Sequence, residues 1–116
     1  YLTDKVAEYF INNFEKIKSY NNSVIQGRDF FKKNLEKLGF QVIGGKANFL
    51  LINLKTKKIL LNILKKFRDK KIYVKSNYTK ELENCILITC GSKKTMQKIF
   101  NLIKETLKNE YNHYRR

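Results

Sequence analysis

The sequence has no proline, no tryptophan, one histidine, one methionine and two cysteines in 116 residues, and ten carboxylates set against twenty-five lysines and arginines. Each scarcity closes off a kind of chemistry. A hydrolase triad needs a positioned base, and the single histidine, His113, stands in the last four residues, where an ordered base is not expected. His113 with Cys85 and Cys90 also gives no zinc-ligand spacing, so no metal site is expected. The two cysteines lie five apart on what reads as one strand, so their side chains face opposite sides of the sheet and do not pair. With no third cysteine a disulfide framework is excluded, and a reducing cytosol is the expected compartment. Nowhere are about 18 apolar residues consecutive, and residues 2–14 read as a charged amphipathic helix rather than a signal peptide, so no membrane partner is expected. Beginning at Tyr1, the chain reads as one domain, residues 1–116, of a longer soluble protein.

What is abundant is lysine. The net charge is +15, spread from Lys5 to Lys108 and accompanied by many asparagines and isoleucines. A balance this basic raises nucleic acid as a partner. The even spread instead matches a solvated surface encoded by an AT-rich genome, and nucleic acid is not the expected partner.

Along the chain, Val6, Phe10, Phe14 and Ile17 recur at helical spacing, with Thr3 and Asp4 as N-terminal caps, which predicts a first helix over residues 4–18. Residues 19–23 are polar and read as a break, making residues 1–23 a helical lead-in. Val24, Phe31, Leu35 and Leu38 then keep a 3.6-residue period up to Gly39, a C-terminal cap onto which Phe40 closes back. Residues 40–43 and 48–54 read as strands around a Gly44, Gly45 turn. Thr56 caps a third helix whose buried face is Ile59, Leu60, Ile63, Leu64 and Phe67. Residues 72–75 and 85–90 read as two further strands around a polar loop. Ser92 caps a last helix burying Met96, Ile99, Phe100, Ile103, Leu107 and Tyr111, with a frayed end from His113. The expected fold is α+β, in the order α-α-β-β-α-β-β-α: a small mixed, mainly antiparallel sheet of about four strands with helices mainly on one face.

Two local patterns invite chemistry. Gly44, Gly45 and Lys46 lack the spacing of a phosphate-binding loop and precede a strand, so a hairpin turn is the reading. Tyr73, Lys75, Tyr78 and Lys80 interleave aromatics with cations, as single-stranded RNA binders do, although no RNA-recognition signature is present.

Read in order, Gly27-Arg28-Asp29-Phe30-Phe31, Leu38-Gly39-Phe40, Ala47-Asn48-Phe49-Leu50-Leu51, Lys71-Ile72-Tyr73-Val74-Lys75 and Ile86-Leu87-Ile88-Thr89-Cys90-Gly91-Ser92 resemble the small domain of class I/II, fold-type-I aminotransferases. The histidinol-phosphate aminotransferase branch, which includes threonine-phosphate decarboxylase, is the nearest in look, over residues 24–108. The resemblance implies a C-terminal, substrate-covering domain, inactive alone. Its partners would be a large domain of the same chain that holds pyridoxal phosphate (PLP) and the Schiff-base lysine, a small-molecule amino substrate, and a second copy in a full-length homodimer. It also implies cationic groups for the substrate's carboxylate or phosphate. The family usually carries arginine where Leu87 stands, and often ends the preceding strand with arginine where Lys75 stands. Lys75 keeps the charge without the planar fork, and Asn48, where its strand enters the sheet, is the second substrate-binding candidate. Transamination and decarboxylation both stay open. So do two other readings: a basic RNA-binding module, and a noncatalytic assembly domain, the latter because the first helix extends beyond the matched stretch.

Overall fold

The computed structural model describes residues 2–114, with side chains for residues 4–9 and 11–109. The readings placed on the side chains of Thr3, Phe10, Tyr111 and His113 lie outside the described side chains, and Arg115 and Arg116 outside the described residues. The elements are α1 (Leu2–Asn12), α2 (Phe14–Lys37), β1 (Gln41–Ile43), β2 (Phe49–Asn53), α3 (Lys57–Asp69), a 3-10 turn (Lys80–Leu82), β3 (Cys85–Thr89) and α4 (Lys93–Tyr114). The class is α+β, as expected, with three strands rather than about four.

The sheet order is β1-β2-β3, antiparallel throughout. Val42 pairs with Ile52, which pairs with Ile86, and Leu50 pairs with Ile88. Alternation puts these five on one face, buried in a single cluster with Phe31 and Leu35 of α2, Leu60, Ile63 and Phe67 of α3, and Met96 and Ile103 of α4. Phe30 and Phe100 meet edge to face, 5.9 Å between centroids, which joins α2 to α4.

The caps expected at Gly39, Thr56 and Ser92 form, whereas Thr3 and Asp4 lie inside α1, which begins at Leu2, and do not cap it. Gly39 takes φ 94°, and Phe40 N–H donates to the Leu35 carbonyl at 3.1 Å, closing the end of α2. The Thr56 hydroxyl accepts from Ile59 N–H, and the Ser92 hydroxyl from Thr95 N–H. Gly44 and Gly45, both at positive φ, turn the chain between β1 and β2.

Three expectations are corrected. Residues 19–23 do not break the helix, because serine and asparagine on an exposed face carry the backbone ladder without interrupting it. The break lies at Asn13 (φ −117°, ψ 14°), so the first helix is Leu2–Asn12 rather than residues 4–18. Residues 72–75 form no strand: the backbone is left-handed at Lys71 (φ 59°) and Asn77 (φ 66°), and Ile72 N–H is spent on the Phe67 carbonyl at the end of α3. Only Lys75 pairs, antiparallel to Leu87. Where a frayed end was expected from His113, α4 continues through Tyr114.

Candidate functional site

The sheet face turned away from the helices carries Leu87 and Lys75, the two positions where the family resemblance implies arginine. The register lays Ile43, Leu51, Leu87 and Lys75 side by side in one row across it. Ile43 and Phe49 are exposed on this face, and Leu51 and Leu87 half-buried. Lys75 and Leu87 exchange both backbone hydrogen bonds, Lys75 N–H to the Leu87 carbonyl at 3.0 Å and Leu87 N–H to the Lys75 carbonyl at 2.8 Å. Such a pair has Cα atoms about 5.5 Å apart with side chains on the same face. The exposed Lys75 ammonium therefore stands on a flexible stem beside Leu87, at the end of an apolar row.

Asn48 is not brought to that row. It precedes β2, its side chain is exposed, and its carbonyl accepts from Cys90 N–H at 2.7 Å. It lies three residues before Leu51 and two strands over from Lys75, roughly 14 Å away by strand rise and spacing. The two candidates occupy different parts of the sheet.

What surrounds Asn48 is a tight junction among α2, the start of β2 and the turn into α4. Arg28, 9% exposed, is the one buried charged side chain among the described residues. Its guanidinium donates to the Ala47 carbonyl (3.4 Å) and from Nε to Asp29 Oδ1 (3.2 Å). Beside it, Gly27 faces the β3–α4 turn so closely that a Cβ there would sit 2.6 Å from the Gly91 carbonyl oxygen and 2.9 Å from the Ser92 carbonyl carbon. Burial pushes the Cys90 thiol up to about 11; the Arg28 guanidinium opposes this and Asp29 adds to it. Cys85 and Cys90 are both free, as expected, and buried. Arg28 was missed as a site-shaping residue. Its signal was present in the sequence, since it falls in helical register with Val24, Phe31 and Leu35, where a charge must find a partner.

A Schiff-base lysine needs a sheltered pocket that lowers its pKa. No described lysine is buried, so the residues present do not fit a PLP-anchoring site. Among the described residues no three His, Cys, Asp or Glu side chains gather as a metal site, and no helix is long and apolar enough to cross a membrane.

Comparison with known proteins places these features in a family. The model for aminotransferase class I and II matches residues 4–104. The chain is 30% identical over 113 residues to a histidinol-phosphate aminotransferase of Lactococcus lactis subsp. cremoris, covering 97% of this chain and 32% of that protein. It is 33% identical over 100 residues to one from Lactococcus lactis subsp. lactis (86% and 26%), and 32% over 97 residues to one from Clostridium botulinum (84% and 27%). The chain thus spans a third or less of the length of these curated relatives. The matched stretch begins at residue 4 rather than near Val24, so α1 is part of what the family shares, which removes the ground for an added assembly domain.

Proposed function

Because the chain belongs to the class I and II aminotransferase family, we propose that it is the C-terminal small domain of a PLP-dependent, cytoplasmic aminotransferase of the histidinol-phosphate aminotransferase type, homodimeric at full length. It closes over an amino substrate and is not catalytic in isolation. The observation that carries this reading is the pairing of a match over nearly the whole chain, but only a third of the relatives, with a sheet face left open and tipped by Lys75.

PLP, held by a domain outside this chain, would supply the electron sink for chemistry at the amino-bearing carbon. This domain's share is to exclude water and orient the substrate. Lys75 offers its ammonium to the substrate's anionic group, and the Leu51–Leu87 row packs its apolar part. A single ammonium in place of a bidentate arginine gives up roughly 1.5–3 kcal/mol.

The test is steady-state kinetics on the full-length, PLP-loaded enzyme across a panel of amino donors. Lys75→Ala should raise KM for the preferred substrate about tenfold or more with kcat little changed, and Leu87→Arg should lower KM for phosphate-bearing substrates. Unchanged KM in both variants removes Lys75 from the site; failure of the full-length protein to transaminate or decarboxylate any donor removes the function.

A second reading has one observation in its favour. Tyr73 is 87% exposed two residues from Lys75, an arrangement able to stack on single-stranded RNA. RNA affinity falling steeply with salt would support it, and no binding at low salt would end it.

A further inference from the structure

Residues 72–76 alternate in exposure: Ile72, Val74 and Ser76 are half-buried, Tyr73 and Lys75 exposed. The segment is tied to the sheet by the single bridge from Lys75 to Leu87, and the space behind it is not filled. Between its inner side and α3 lie cavities of about 400 Å³ and about 550 Å³ that share Leu61, Leu64 and Asn77 and so form one groove. Small-molecule sites have volumes of about 300–1,000 Å³. The α3 wall is Lys57, Leu61, Leu64 and Arg68, one stripe at helical spacing with a cation at each end of an apolar floor, about 16 Å apart by helical rise. Across from Lys57, Lys80 adds a third cation and Glu83 the one carboxylate of the lining. Among the described residues none of Lys57, Arg68 and Lys80 has an ion-pair partner.

We propose that this groove is a regulatory binding site for a small organic anion with an apolar body, an aromatic or branched carboxylate, phosphate or sulfonate. The body lies on Leu61, Leu64 and Val74, and the anionic group meets Arg68, whose planar fork suits an oxyanion through two parallel N–H bonds. Charge complementarity selects this occupant. The walls offer three unpaired cations against one carboxylate, and Glu83 lies at the end away from Arg68, which leaves the Arg68 end purely cationic. A second copy of a chain carrying +15 is repelled from such a surface. The regulation follows from the segment itself. Val74 and Ser76 wall the groove, and Lys75 stands between them without lining it. A ligand that fits one setting of residues 74–76 better than another biases that setting, and with it the ammonium beside Leu87. This regulatory half rests on the reading of Lys75 as the substrate-binding residue; the binding half does not.

The probe is anilinonaphthalene sulfonate, an aromatic sulfonate that fluoresces on leaving water, titrated into the full-length, PLP-loaded protein containing the chain. Arg68→Ala should weaken its binding about 10- to 100-fold, the loss of one charge-assisted contact. Leu61→Glu, which sets a carboxylate on the apolar floor, should abolish it. Both side chains are exposed, so the melting temperature should stay in place in either variant. Lys65→Ala, on α3 but outside the groove, should bind the probe as wild type does. No binding overturns the site, and this is also the result if another part of the polypeptide fills the groove. Equal weakening in Lys65→Ala and Arg68→Ala overturns it too, because diffuse surface charge would then be the cause. With the probe bound, KM for the preferred amino substrate should shift about fivefold or more in wild type and not in Leu61→Glu. An unmoved KM, or an equal shift in both proteins, overturns the regulation. Fluorescence needs no turnover, so a protein that transaminates nothing removes the proposed function and leaves the groove to stand or fall on binding alone.

Discussion

Replacing Gly27 by alanine sets two effects of opposite sign against each other. In an exposed helix interior, alanine for glycine stabilises by about 1 kcal/mol, because glycine loses more backbone freedom on folding. Here the new methyl would lie 2.6 Å from the Gly91 oxygen, 2.9 Å from the Ser92 carbon and 3.0 Å from the Lys93 nitrogen. All three are backbone atoms at the start of α4 and cannot rotate aside as a side chain would. Overpacking costs about 1–3 kcal/mol, and contacts this short on a fixed wall belong at the upper end. The net is about 2 kcal/mol of destabilisation, since α2 must lift off the β3–α4 turn. With a urea m-value of about 1–3 kcal/mol per molar for a chain this size, the midpoint falls by about 1 M. Urea titration followed by far-ultraviolet circular dichroism measures it. Gly91→Ala is the internal control: its nearest contact would be the Thr95 side chain at 3.5 Å, an ordinary packing distance, so its midpoint should hardly move. A Gly27→Ala protein as stable as wild type, or more so, would show that helix propensity governs this position and that the close approach does not.

Other outcomes follow from burial and capping. Phe31, fully buried between α2 and the sheet, should cost about 3–5 kcal/mol on truncation in Phe31→Ala, visible as a large drop in melting temperature. Thr56→Ala removes the acceptor for Ile59 N–H and should cost about 1 kcal/mol in the same assay, with Thr56→Ser recovering most of it. For Cys90, the folded thiol titrates near 11 against an ordinary 9.0. The folded state therefore holds its proton more tightly than the unfolded state. Its contribution to stability is complete below about pH 9 and is lost as pH rises towards 11. The loss of stability over that window should be shallower in Cys90→Ala than in wild type, and an identical slope in the two would refute the assignment.

The periodic signals were legible because they are local. Gly39, Thr56 and Ser92 end or begin helices through bonds within a few residues, and the alternation of residues 50, 52, 86 and 88 reports one buried face whatever lies on it. Two misreadings came from treating local polarity or β-propensity as decisive. Residues 19–23 are polar because one side of a helix faces water, and residues 72–75 are β-branched and aromatic yet lie between two left-handed residues that leave only Lys75 able to pair.

By itself the sequence determined the class of fold, the caps, the buried stripe and a family likeness carried by ordered motifs, because each depends on neighbours in the chain or on a repeated period. Only the tertiary structure decided that Lys75 stands beside Leu87 while Asn48 stands apart, and that Arg28 is tied to Ala47. Those facts depend on strand register and on which surface meets which. Both are fixed by packing between segments far apart in the chain, which composition and spacing do not encode.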